Sequence, residues 1–216
     1  MTTVLLVRHG LTPLTGPVLA GWTPDVHLDD RGRAQVARVG ERLRAIPLAA
    51  IVSSPLERCR ETAGAILEGR RLELQIDERL GECRYGDWTG QKIRDLSRDP
   101  LWKVVQAHPS AVTFPNGEAL RDVQARAVDA VRDWNTRLGA DATWVAVSHA
   151  DVIKAITADA LGLHLDQFQR IGVSPASITV IRYDPLRPTV VRMNDAGAID
   201  DLMPKPRRGR RPAATG

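Results

Sequence analysis

Three short polar clusters in this 216-residue chain each follow an apolar run: Arg8-His9-Gly10 after "TVLLV", "SSPLER" (53–58) after "LAAIV", and Ser148-His149 at the end of "TWVAVS". Arginine offers a rigid fork of donors matched to phosphate oxygens, and a neutral imidazole offers a nucleophilic nitrogen. Two arginines and two histidines gathered around one pocket would suit a phosphoryl group, whose negative charge offsets the repulsion among the cations. Each cluster alone is ordinary. A histidine often ends a strand, and Arg58 shares its segment with Glu57 and with Arg60, a competing candidate. Whether the clusters form a site depends on the elements that carry them.

Those elements read as alternating strands and helices. "TVLLV" (3–7) is a continuous aliphatic run, as in a strand buried on both faces. "LDDRGRAQVARVGERLRAI" sets Ala34, Ala37, Leu43 and Ile46 near helical spacing, with Asp29 or Asp30 as N-cap and Pro47 as the stop. "LAAIVSS" is a second strand, followed by the helix "PLERCRETAGAILEG", with its Pro in the first turn and Gly69 at its end. "LELQI" is a short strand and "GEALRDVQARAVDAVRDWNTRL" the longest helix. "TWVAVS" leads into the helix "ADVIKAITADALGL", and the β-branched "SITVIRY" and "TVVRMN" close as an antiparallel edge pair. The pattern predicts a three-layer α/β/α sandwich with a mostly parallel central sheet. In such sheets ligands collect beyond the carboxyl ends of the strands, where the three clusters fall. Arg8 and His9 can share a pocket only if the chain turns there, and Gly10 is expected to permit that turn.

The composition, 43% hydrophobic and 26% charged, is that of an ordinary soluble domain. No stretch approaches the roughly 18 apolar residues of a membrane span, and the amino terminus lacks a signal-peptide layout. Cys59 and Cys83 are too few for a disulfide framework, so a reducing, cytoplasmic setting is expected. The net charge of +4 does not point to a nucleic-acid partner. Lys205, Arg207, Arg208, Arg210 and Arg211 outweigh it, leaving a slightly acidic body before a basic, Pro-rich tail. One domain over 1–203 and a disordered tail over 204–216 are expected, and the closing edge strands could pair copies into a homo-oligomer.

Arg8-His9-Gly10, "SSPLERCRETA" (53–63), "LGECRYGDWTGQ" (80–91), "PNGEA" (115–119) and "VSHADVI" (147–153), in that order, resemble the successive signatures of the histidine phosphatase superfamily, the branch that includes cofactor-dependent phosphoglycerate mutase and its small phosphatase relatives. The resemblance spans roughly residues 3 to 184 and implies the phosphoglycerate mutase-like sandwich. It implies that His9 is a nucleophile that forms a phosphohistidine, which water then hydrolyses. The attacking nitrogen must be neutral, so the other should donate to a backbone carbonyl, and nearby arginines disfavour ring protonation. Arg8, Arg58 and His149 match residues that hold the equatorial phosphate oxygens, with Ala150 beside them, and Glu82 matches the proton donor to the leaving alcohol. Glu118 in "NGEA" is a competing carboxylate. An acidic-to-neutral optimum follows if Glu82 must be protonated and His9 not. No metal or other cofactor is implied, and His9 and His149 lack HExxH-type spacing. His27, His108 and His164 read as surface residues, and Trp22, Trp88 and Trp102 as packing near the pocket.

The chain departs from the family pattern at three places. Leu11 replaces an acid, Thr15 stands where an Asn would contact phosphate, and Ala150-Asp151 replaces a pair of small residues. A threonine hydroxyl can still donate to phosphate. Asp151 could repel highly charged ligands, orient a basic substrate group, or serve as an ordinary helix N-terminal acid. The mutase pattern also carries additional basic residues and a longer insertion between the acid and the long helix. Here only Lys92, Arg94 and Lys103 are scattered through a modest segment. These features favour a phosphatase acting on a small soluble phosphomonoester over a mutase or a noncatalytic phosphate-binding scaffold.

Overall fold

The computed structural model describes residues 1–197; the expected boundary at 203 and the basic segment 204–216 lie outside them. Six strands, β1 (Thr2–Arg8), β2 (Ala50–Ser53), β3 (Leu74–Ile76), β4 (Thr143–Ser148), β5 (Ile178–Tyr183) and β6 (Pro188–Asp195), form one sheet in the order β3-β2-β4-β1-β5-β6. The four strands from β3 to β1 are parallel, while β5 runs antiparallel to both β1 and β6. The central strands are apolar on both faces because both faces are covered. Val4 and Leu6 of β1 join the core made with α5 (Leu120–Leu138) and α6 (Ala150–Ala160). Leu5 and Val7 join the core made with α1 (Asp30–Leu43) and α2 (Glu57–Leu67). Two short helices, α3 (Ile93–Leu96) and α4 (Pro100–Ala107), lie between Glu82 and α5.

The helix α1 differs from its sequence reading in rotation. Its buried residues are Gly32, Val36, Val39 and Leu43, whereas Ala34 and Ala37 face solvent. The larger side chains dominate because burying a valine or leucine removes far more apolar area than burying a methyl. Asp29 is the N-cap, accepting from the Gly32 amide at 2.7 Å, and the helix ends at Leu43, before Pro47 is reached. In α2 the first helical residue is Glu57, leaving Pro55 outside, and the last is Leu67. Trp88 is buried and stacks on Trp102 of α4 at 6.1 Å between ring centroids.

Two helical glycines show how tightly α1 meets the first loop. A Cβ on Gly32 would lie 2.0 Å from the Leu11 carbonyl oxygen, whereas one on Gly64 in α2 meets nothing within 4 Å. Intrinsic propensity favours alanine at both sites. Overpacking reverses the sign at the first: Gly32→Ala should destabilise by about 1–3 kcal/mol. Gly64→Ala should stabilise by about 0.5–1 kcal/mol. Urea unfolding of the two variants checks this, and shifts of the same sign would contradict the packing argument.

Candidate active site

Topology brings the first and third polar clusters together. β1 and β4 are neighbours, with Arg8 opposite Ser148 in register, yet they lead into helices on opposite faces of the sheet: α1 after β1 and α6 after β4. Such a switch point opens a crevice at the carboxyl ends of the strands. The His9 amide donates to the Ser148 carbonyl at 3.1 Å, and the His9 and His149 rings lie 5.3 Å apart between centroids. β2 ends one strand further along, and Ser54 Oγ bonds His149 Nε2 at 2.8 Å.

Gly10 does not have the role expected from its conformational freedom, because its φ lies outside the left-handed region. A Cβ there would meet the Gly32 carbonyl oxygen at 2.8 Å and Val36 Cγ1 at 2.9 Å. Close approach to α1 is what requires a glycine, and the Gly10 amide is also held by Thr62 Oγ1 at 3.2 Å.

A cavity of about 190 Å³ opens over these strand ends, lined by Arg8, His9, Arg58, Glu82, Tyr85 and Asp151, with Thr15, Ala150 and aliphatic residues of the first loop among the other walls. His9 Nδ1 lies 2.7 Å from the Gly10 carbonyl oxygen, which can only accept. The ring proton therefore sits on Nδ1, and Nε2 keeps its lone pair. Burial, then the Arg58 and Arg8 charges, hold the His9 pKa well below the usual imidazole value.

Arg58, not Arg60, enters the cavity: it is buried, whereas Arg60 is exposed. Its Nη2 donates to the Gly21 carbonyl at 2.8 Å and to His149 Nδ1 at 3.3 Å. Arg8 Nη1 donates to the Val173 carbonyl at 2.7 Å. Arg58 Nη1 and Arg8 Nε are buried without a protein partner among the described residues. Such groups cost free energy unless a ligand meets them, and an anion in the cavity is suited to do so. His149 is fully buried and is not among the residues lining the cavity, although its Nδ1 lies 3.7 Å from Glu82 Oε2. Because Nδ1 accepts from Arg58, its neutral ring presents Nε2–H to Ser54. Burial, Arg58 and His9 hold its pKa well below the ordinary value. Ala150 begins α6, whose amide end faces the same space.

Glu82 is buried, and its Oε1 accepts from the Cys83 amide at 3.0 Å. Burial first, then the Asp151 carboxylate, push its pKa up to about 7 against the opposing pull of Arg58 and Arg8. Its main chain is pinned. The Glu82 carbonyl accepts from Trp22 Nε1 at 2.6 Å and from Arg126 Nη2 at 3.1 Å, while Arg126 Nη1 holds the Arg79 and Gly81 carbonyls. Glu118, the competing carboxylate, lies outside the cavity lining and pairs with Arg126 Nε at 2.8 Å. Burial pushes Glu118 up, but bonds from Arg126 and the Arg84 amide outweigh that and hold it below the ordinary range.

Thr15 Oγ1 accepts from the Thr12 amide at 3.0 Å and lies 2.9 Å from Thr12 Oγ1, so it organises the loop as well as lining the cavity. Asp151 is the acid in the first turn of α6, after the N-cap His149. Its carboxylate accepts from Tyr85 Oη at 2.8 Å and from Lys154 Nζ at 3.3 Å. His27, His108 and His164 are exposed. Tyr85 and Arg126 were not singled out by the sequence. Tyr85 lies three residues beyond Glu82 in a segment that already stood out, but nothing in the α5 sequence distinguishes Arg126 from the helix's other arginines.

Comparison with known proteins agrees with this arrangement. The model of the histidine phosphatase superfamily (branch 1) matches residues 4–196. Phosphoserine phosphatase 1 of Hydrogenobacter thermophilus is 29% identical, covering 90% of this chain and 92% of that protein. Glucosyl-3-phosphoglycerate phosphatase of Mycolicibacterium vanbaalenii is 30% identical over 78% of each chain. The solved structure of YhfR from Bacillus stearothermophilus superposes with a TM-score of 0.84 at 32% identity, covering 90% of this chain and 98% of that one. Other relatives carry the name probable phosphoglycerate mutase. From the match across nearly its whole length, the chain belongs to branch 1 of the histidine phosphatase superfamily, as a phosphoglycerate mutase-like phosphatase.

Proposed function

We propose that this protein hydrolyses monophosphate esters of small soluble alcohols through a phosphohistidine at His9 Nε2. The observation that carries the proposal is the His9 Nδ1–H bond to the Gly10 carbonyl, which leaves Nε2 unprotonated in a cavity walled by two arginines. The Nε2 lone pair attacks phosphorus in line as the ester P–O bond breaks, and the departing oxygen takes the Glu82 proton. Arg8, Arg58 and the amide end of α6 at Ala150 receive the equatorial oxygens, with His149 setting the Arg58 guanidinium. Water then attacks phosphorus, the N–P bond breaks, and Glu82, now a carboxylate, takes the proton from the water. The catalytic roles assigned to His9 and Glu82 are specific to this reading.

Rapid quenching after mixing with ³²P-labelled phosphoester tests it. A base-stable, acid-labile label mapping to the peptide containing His9 is the expected result, and turnover without any labelled enzyme would overturn the reading. The names of the mutase relatives give a second reading a footing. It predicts 2-phosphoglycerate from 3-phosphoglycerate primed with 2,3-bisphosphoglycerate, where the phosphatase reading predicts inorganic phosphate.

A further inference from the structure

Resting on the phosphatase reading, we infer that Asp151 selects the leaving group: the cavity is built for phosphate monoesters of amino alcohols and disfavours esters whose alcohol carries an acid. Among the described residues lining the cavity, the only cations are Arg8 and Arg58, which also carry the unpartnered buried donors. Both suit the phosphoryl group, so no lining cation is left for a second anion. The other charged or ionisable lining groups besides His9 are Glu82, Asp151 and the phenol of Tyr85.

The Asp151 carboxylate has room for another donor. Tyr85 Oη occupies one oxygen and Lys154 Nζ lies 3.3 Å from the other, which leaves further lone-pair directions free, and the side chain is 24% exposed. Burial, then the neighbouring carboxylates, push the Tyr85 pKa well above its ordinary value, so the phenol remains a donor that fixes Asp151. Lys154 does not line the cavity: its ammonium is also held by Gln169 Oε1 at 3.1 Å and lies over the Phe168 ring. Arg84, outside the lining as well, is laid over Trp22. Lys154 is ion-paired with Asp151 from outside the lining, so the face turned to the cavity is the carboxylate: an ammonium on the alcohol would meet it, while a carboxylate or second phosphate would meet like charge, the arrangement by which sites reject a competitor. Of the substrates for which two relatives are named, phosphoserine carries both an ammonium and a carboxylate on its leaving group, and glucosyl-3-phosphoglycerate carries a carboxylate alone.

The test compares kcat/KM of the wild type and Asp151→Asn on four esters of similar size: O-phosphoethanolamine, ethylene glycol monophosphate, O-phosphoserine and 3-phosphoglycerate. p-Nitrophenyl phosphate serves as an activated reference. The wild type should prefer phosphoethanolamine over the neutral ester by about tenfold, phosphoserine, whose ammonium and carboxylate oppose each other, should fall between phosphoethanolamine and 3-phosphoglycerate, and 3-phosphoglycerate should be poorest. In Asp151→Asn the amine-to-neutral ratio should fall close to one, and 3-phosphoglycerate should gain relative to the neutral ester. Asparagine keeps an acceptor for Tyr85, and the wild-type ranking is informative without the variant. Turnover of p-nitrophenyl phosphate with equal wild-type rates on the amine and neutral esters, or with an amine-to-neutral ratio unchanged in Asp151→Asn, overturns the selectivity inference alone. No turnover of any ester overturns the phosphatase reading beneath it.

Discussion

His9→Ala is expected to lower kcat/KM on phosphomonoesters by on the order of 10⁴- to 10⁶-fold and to abolish the labelled phosphoenzyme. The size follows from the arrangement. Arg8 and Arg58 can still bind the phosphate, so KM should move much less than kcat, but among the described residues no other side chain lining the cavity offers an uncharged nitrogen to phosphorus. His149 is not a substitute. Its Nδ1 is engaged by Arg58 and its Nε2 by Ser54, and it is not among the residues lining the cavity. Steady-state kinetics together with rapid-quench labelling checks the prediction. A variant retaining activity within tenfold of wild type would remove His9 from the nucleophile's role. Circular dichroism guards against misfolding, since the His9 ring buttresses the loop through a single bond to the adjacent carbonyl.

The second large effect concerns Glu82. Its pKa of about 7 means that the carboxyl is about half protonated at neutral pH and largely ionised a unit above it. A general acid works from its protonated form, so kcat/KM on alkyl esters should fall as pH rises through about 7. His9 must be unprotonated, and burial beside Arg58 and Arg8 holds its pKa well below the ordinary imidazole value, so the acid limb falls on the other side of the working range. Glu82→Gln should lower kcat on alkyl esters by about 10²- to 10⁴-fold and flatten the alkaline limb. On p-nitrophenyl phosphate, whose leaving group departs as an anion unaided, the first step should be nearly spared. The second step loses its base, so phosphoenzyme should accumulate. An unaltered alkaline limb in Glu82→Gln, or an optimum above pH 8.5 in the wild type, would assign the proton to another group.

Much of the architecture was legible in the chain. A continuous aliphatic run such as "VLLV" predicts a strand buried on both faces, and β1 is flanked by two separate cores. The antiparallel closing pair, the Asp29 cap and the long helix also follow from local signals, because capping, alternation and turn chemistry are set within a few residues. Helix boundaries and rotation were less legible. The phase of α1 depends on which side chains the sheet can bury, and that is decided by the partner rather than by spacing.

The same division holds for the candidate site. Sequence by itself placed Arg8, His9 and His149 at strand ends, and the order of the motifs was enough to indicate the family. Residue type and spacing alone do not separate Arg58 from Arg60 or Glu82 from Glu118, since neighbouring charges on one helix, or carboxylates on two loops, look alike until their surroundings are known; the motif resemblance is what chose Arg58 and Glu82. Tertiary structure separates them by placing Arg58 in a buried wall beside His149 and leaving Arg60 in solvent, and by tying Glu118 to Arg126 while Glu82 faces Asp151 across desolvated space. It also changes the reason for Gly10, from an unusual backbone angle to the approach of α1. Residue type and local spacing determine which chemistry is available. Burial and contacts between segments far apart in sequence decide which copy of each group has the proton, the partner and the access to use it.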